Sequence, residues 1–183
     1  MSTGSWLKAH RKQVITHTSI VVGFVLFIIF VTGPLFDSLD AVRGESRLHD
    51  FPLPAETGGI KYYFDEFATD GRTMVGVRGW AFIENIDSEN SEVYIVLKSR
   101  SLFNIFSRTY IFDIMEQTRP DVTLHFKELN LNLDYSGFRA LIPARKIANG
   151  EYTVGIYIRK GDIEALTYTN RTIIKSGDTI KTE

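Results

Sequence analysis

The sequence of 183 residues contains no cysteine. This absence excludes disulfides, a thiol nucleophile, thiolate metal sites and a lipidated N-terminal cysteine. A domain without cross-links needs a self-sufficient hydrophobic core. The composition allows one, because 44% of the residues are hydrophobic and 23% are charged.

Recognisable catalytic groupings are also absent from the sequence. It shows no nucleophile paired with a base, no metal triad and no phosphate-binding glycine loop. The four histidines are widely spaced, and only His125 falls in the predicted folded domain. We therefore predict a protein that is not an enzyme and uses no cofactor. A small carbohydrate-active enzyme stays open as an alternative, since glycoside hydrolysis needs only two acids across a cleft.

An excess of positive charge is missing as well. Three of the 21 basic residues, Lys8, Arg11 and Lys12, precede Asp37, which leaves 18 basic against 22 acidic residues in the rest of the chain. Nucleic-acid binding proteins usually carry basic surfaces. The charge balance therefore argues against a nucleic-acid partner.

Val14–Phe36 is a run of 23 residues without a charged side chain. As a helix it would be roughly 34 Å long, enough to cross a hydrocarbon core of about 30 Å. The basic residues before it predict a cytoplasmic tail (residues 1–13) and an extracytoplasmic C-terminal part. We predict a single-pass protein of the cell membrane. The alternative, a signal cleaved near Asp40-Ala41, is disfavoured by the length of the run and the lack of an Ala-x-Ala site.

Residues 37–59 are rich in Asp, Glu, Pro and Gly and are predicted to be a linker. Residues 60–176 contain short aromatic and β-branched runs separated by turn signals, and residues 177–183 are predicted to be a tail. Seven strands are predicted, near Ile60–Phe67, Thr73–Ile83, Glu92–Ser99, Ser107–Ile114, Gly137–Ile142, Glu151–Lys160 and Ile163–Lys175.

The predicted fold is a mainly β, antiparallel, immunoglobulin-like sandwich. In the sixth strand Tyr152, Val154, Ile156 and Ile158 alternate with polar or small residues and should face the core. Turn signals such as Lys160-Gly161-Asp162 suit short hairpins. One long crossover over residues 115–135 favours two packed sheets over a closed barrel.

Two aromatic features are candidate interaction sites. Trp80 could stack on a sugar ring, although its position in an apolar strand favours a core anchor between the sheets. Phe103 and Phe106 flank Asn104-Ile105 between two strands, where a lipid, a partner or a neighbouring loop would cover them.

Two charged features have weaker patterns. The loop from Glu84 to Glu92 offers oxygen ligands, with Asp87 and Glu89 as calcium candidates, but it lacks the glycine and spacing of a helix-loop-helix calcium site. We therefore predict no metal site. Arg119 and Asp121 bracket a proline and are predicted to form a local ion pair that holds the crossover.

Several short motifs follow one another in an order that is also seen in other proteins. They are Gly79-Trp80-Ala81, Arg119-Pro120-Asp121-Val122, Ser136-Gly137-Phe138 with Ile142-Pro143, and Gly150-Glu151-Tyr152. Over residues 71–160 this order resembles β-sandwich modules attached to bacterial proteins of surface-polysaccharide biosynthesis. The resemblance implies the fold and a cell-envelope setting, and it implies no catalytic residues.

Together these features predict a membrane-anchored binding or assembly module at the cell envelope, with a glycan or an envelope protein as its partner. The alternative is an accessory structural subunit of a membrane protein complex.

Overall fold

The structure, a computed structural model, describes residues 11–28, 30, 44–100 and 108–183. The chain divides into two compact units, Met1–Arg43 and Gly44–Glu183. In the first unit, helix α1 spans Arg11–Phe27. Among the residues described, no helix is both long and apolar enough to cross a membrane. The predicted span Val14–Phe36 overlaps α1 and continues into residues outside those described.

The second unit is built mainly from antiparallel strands. Its strands are β1 (Leu48–His49), β2 (Ile60–Thr69), β3 (Met74–Ile83), β4 (Glu92–Ser99), β5 (Thr109–Asp113), β6 (Met115–Gln117), β7 (Gly137–Pro143), β8 (Gly150–Lys160), β9 (Ile163–Ser176) and β10 (Thr179–Thr182). Helix α2 spans Pro120–His125, and short 3-10 turns span Lys127–Leu129 and Ala144–Lys146.

The strands form two sheets. The six-stranded sheet has the order β1-β5-β4-β8-β9-β10, and the four-stranded sheet has the order β2-β3-β7-β6. All neighbouring strands pair antiparallel. The predicted mainly β, antiparallel class is confirmed, and each of the seven predicted strands has a counterpart.

One hydrophobic core lies between the two sheets. The predicted inward residues of β8, Tyr152, Val154, Ile156 and Ile158, are all buried in it. They meet inward residues of the four-stranded sheet, such as Val77 and Phe138. The period-two pattern identified these positions because successive strand residues point to opposite faces.

The predicted linker boundary is wrong for residues 44–59. They belong to the same compact unit as the sheets, and β1 pairs with β5. The Ser46 amide donates to the Leu141 carbonyl at 2.8 Å, and Arg145 forms two hydrogen bonds with the carboxylate of Glu45. These contacts join residues that are far apart in the sequence, so a local sequence pattern does not predict them.

The same segment covers the outer face of the six-stranded sheet. Phe51 packs edge-on to Tyr94, with ring centroids 5.2 Å apart, and lies 5.7 Å from the ring of Tyr157. The Thr57 amide donates to the Leu166 carbonyl at 3.0 Å. We call residues 45–57 the strap: its first residues bond to Leu141 and Arg145, and its later residues pack on the aromatic side chains of this face.

The predicted tail, residues 177–183, also differs from the structure. Strand β10 pairs with β9, and Ile180 is buried in the main core. Gly177 has φ +56° in the turn between these strands, a conformation that favours glycine. Gly177-Asp178 has the same turn signal as Gly161-Asp162, so the sequence is sufficient to predict this hairpin.

Candidate functional site

Trp80 lies on the outer face of the four-stranded sheet. Val75, Val77 and Ala81 of the same strand point into the main core, so Trp80 and Phe82 point away from it. The prediction that Trp80 anchors the core between the sheets is therefore corrected. It belongs to a second cluster with residues of the crossover, namely Val122, Phe126, Leu129, Leu131 and Leu133.

The aromatic rings on this face form a strip. Tyr63 and Trp80 are register partners in β2 and β3, with ring centroids 6.4 Å apart and planes inclined by 25°. Trp80 and Phe82 are similarly arranged, at 5.8 Å and 23°. Phe126 meets Trp80 edge-on at 5.4 Å. Tyr63 is 59% exposed, so this end of the strip is open to solvent.

Arg119 joins α2 to strand β2 through two carboxylates. Its Nη1 donates to Asp65 Oδ2, while its Nε and Nη2 donate to the two oxygens of Asp121 at 2.9 and 2.8 Å. The predicted ion pair between Arg119 and Asp121 is confirmed. The link to Asp65, 54 positions earlier in the chain, converts that local pair into a clamp between two elements. We call these three residues the Arg119 clamp.

Two glycines make room for this clamp. The pairing of β2 with β3 shifts between Phe64 and Glu66, which places Asp65 in a bulge. A Cβ on Gly79 would lie 2.0 Å from the Tyr63 carbonyl oxygen beside this bulge. A Cβ on Gly137 would lie 2.4 Å from Arg119 Cγ. Any side chain at either position would displace the backbone or Arg119.

Hydrogen bonds within the clamp shift the pKa values of two of its members, Asp121 and Arg119. Hydrogen bonds from Arg119 lower the pKa of Asp121, and hydrogen bonds to Asp121 and Asp65 raise the pKa of Arg119. Asp121 therefore stays ionised at neutral pH and is a hydrogen-bond acceptor. It is poorly suited to donate a proton to a leaving group.

An open cleft of about 450 Å³ lies between the aromatic strip and α2. Its lining includes the residues Tyr63, Asp65, Trp80, Asp121, Phe126 and the exposed His125. We call it the aromatic cleft. Aromatic faces beside carboxylate oxygens suit a ligand that has an apolar face and hydroxyl donors at its edge.

The two described calcium candidates, Asp87 and Glu89, do not line this cleft. Phe103 and Phe106 lie outside the residues described. Asp87 Oδ1 accepts a hydrogen bond from the Asn132 amide at 2.6 Å, and Glu89 is exposed. Within the described part of the chain, no three Asp, Glu or His side chains are grouped to hold a metal ion.

Sequence reasoning missed Tyr63, Asp65 and Phe126 as cleft residues. The sequence pattern places Tyr63 in a strand, but only the register of β2 against β3 places it beside Trp80. Asp65 sits in a bulge that alternation does not predict. The available signal was Gly79, because a glycine inside an apolar strand often marks a bulge or a close backbone approach.

Comparison of the chain with protein-family models, curated proteins and solved structures found no significant match.

Proposed function

We propose that this chain is a membrane-anchored, extracytoplasmic binding module of the cell envelope that holds a glycan in the aromatic cleft. The anchor is supported by the uncharged run Val14–Phe36 behind Lys8, Arg11 and Lys12. The cleft and the anchor are tested by separate experiments.

The observation behind glycan binding is the aromatic strip beside two carboxylates. Pyranose rings have an apolar C–H face that packs on aromatic rings and a polar edge that donates hydrogen bonds. Tyr63 and Trp80 supply nearly parallel rings, inclined by 25°. Asp65 and Asp121 supply acceptors at the edge of the same cleft.

The strand order supports an immunoglobulin-like assignment for the sandwich. The order β2-β3-β7-β6 corresponds to A-B-E-D, and β5-β4-β8-β9 corresponds to C′-C-F-G. Tyr152, near the start of β8, donates its hydroxyl to the Ala148 carbonyl at 2.9 Å. Immunoglobulin-like domains commonly carry such a tyrosine corner at the start of strand F.

The envelope setting is supported by the motifs. Three of those that resemble modules of surface-polysaccharide proteins meet around the aromatic cleft: Trp80 comes from the first, Arg119 and Asp121 from the second, and Gly137 from the third. Motifs that are distant in sequence and adjacent in space favour a shared role for these residues.

Binding fits the cleft better than glycoside hydrolysis. The paired carboxylates Asp65 and Asp121 meet the first requirement of a glycosidase, but one of the two acids must stay protonated to donate to the leaving group. Both accept hydrogen bonds from Arg119, and the pKa of Asp121 is lowered. The clamp thus keeps Asp121 ionised, and both side chains act as hydrogen-bond acceptors toward Arg119.

The test uses the full-length chain in a detergent without a sugar headgroup, titrated calorimetrically with envelope oligosaccharides. We expect Tyr63→Ala to weaken binding by about five- to tenfold, because an aromatic contact contributes about 1 kcal/mol. Tyr135→Ala is the matched control, since Tyr135 is 40% exposed and does not line the cleft.

The outcomes separate the alternatives. Equal losses in both tyrosine variants would remove the cleft as the site. Absence of glycan binding by the folded protein, with co-purification of an envelope protein only when the anchor is present, would favour the accessory subunit. Release of shortened oligosaccharides would favour the enzyme.

A further inference from the structure

Negative charge exceeds positive charge around the aromatic cleft. Asp65 and Asp121 line it together with the exposed His125, and Arg119 is the cation that the two carboxylates share. With His125 counted as neutral, the formal charge of these four residues is −1. Lys61, 5.8 Å from the ring of Phe126, lies 4.0 Å from Glu84, which balances it.

The arginine is turned toward its own protein. Three of its nitrogens donate to Asp65 and Asp121, and its side chain is only 22% exposed. Asp121 is 63% exposed, so its oxygens have solvent-facing lone pairs left for a ligand. The cleft therefore offers acceptors to a ligand, while the guanidinium of Arg119 is already hydrogen-bonded to Asp65 and Asp121.

We infer that the aromatic cleft selects glycans whose bound sugars carry no carboxylate, sulfate or phosphate. This inference rests on the proposed glycan binding and specifies its substrate class. Hydroxyl or amino groups of the sugar donate to Asp65 and Asp121, and its apolar face lies on Tyr63 and Trp80. An acidic group at the same place would be repelled by two carboxylates, and the guanidinium of Arg119 is already hydrogen-bonded to them.

The discrimination follows from Coulomb's law. A net charge of −1 acting on a ligand anion across about 6 Å changes the affinity by roughly threefold at the dielectric of water and by roughly a hundredfold at an effective dielectric of 20. For a cleft open to solvent we expect a preference of about tenfold. Salt should reduce it, because exposed charges are screened.

The experiment compares acidic polysaccharide fragments with their carboxyl-reduced forms, which share linkage and length and differ in charge. The full-length chain is titrated with each pair. We expect the reduced, neutral form to bind about tenfold more tightly at 20 mM NaCl, with a smaller ratio at 500 mM. Equal or tighter binding of the acidic form would overturn the inference while the proposed glycan binding stood.

Two variants locate the effect. Asp121→Asn should reduce the preference to about threefold or less, because it brings the formal charge of the clamp to zero. Asp178→Asn, an exposed residue in the turn before β10, should leave the preference unchanged. An unchanged preference in Asp121→Asn would also overturn the inference. If no member of any pair binds the folded protein, the proposed function fails and this inference fails with it.

Discussion

Replacing Arg119 by Met tests whether the clamp supports the fold beside the cleft. Methionine keeps much of the aliphatic stem and removes every donor. The side chains of Arg119 and Asp65 are only 22% and 25% exposed, so this link is partly shielded from solvent. Asp121 is 63% exposed, so its contact adds little to stability.

We expect the free energy of unfolding to fall by about 2 kcal/mol. Hydrogen bonds to charged groups contribute roughly 1.5–3 kcal/mol, and exposed ion pairs contribute roughly 0–1 kcal/mol. For a domain of about 140 residues, this corresponds to a fall of roughly 6–10 °C in the melting temperature. Thermal and urea unfolding followed by the circular dichroism of the sheets measures the change.

Arg100→Met is the matched control. Arg100 donates to Glu151, but these side chains are 56% and 45% exposed. Its loss should cost less than about 1 kcal/mol. A cycle combining Arg119→Met with Asp65→Asn should show a coupling of about 1 kcal/mol. Equal losses of stability in the two arginine variants, or a cycle without coupling, would show that the partly shielded link between Arg119 and Asp65 stabilises the fold no more than an exposed ion pair.

Three further predictions concern pH, boundaries and topology. Hydrogen bonds from the Thr73 hydroxyl and from the backbone amides of Arg72, Thr73 and Met74 lower the pKa of Asp70. Its contribution to the free energy of unfolding should therefore be complete above about pH 4 and lost as the pH falls below that value. In urea titrations Asp70→Asn should lose less stability than wild type between pH 5 and pH 2.5, and parallel losses would contradict this. A fragment beginning at Gly44 should unfold cooperatively at a higher temperature than one beginning at Ile60, because the strap covers the outer aromatic cluster; equal melting temperatures would mean that the strap adds no stability. Protease added to intact spheroplasts should digest the second unit, and digestion only after lysis would contradict an extracytoplasmic location.

The strands of the sandwich could be predicted because their signal is local. In β8, alternating apolar residues identify the core face without knowledge of any partner. Strands β1 and β6 have only two and three residues, too few for a periodic pattern, and pairing with β5 and β7 defines them. The sequence of the strap predicts a linker for the same reason, since its hydrogen bonds reach residues about 100 positions away.

By itself, the sequence determined the mainly β class, the core face of the principal strands and the ion pair between Arg119 and Asp121, all of which depend on residues close together in the chain. Only the tertiary structure decided that Trp80 faces outward beside Tyr63, that a bulge turns Asp65 toward Arg119, and that an open cleft lies between them. The physical reason is register. A sheet brings together side chains that are remote in sequence, and a one-residue shift in pairing changes which of them meet.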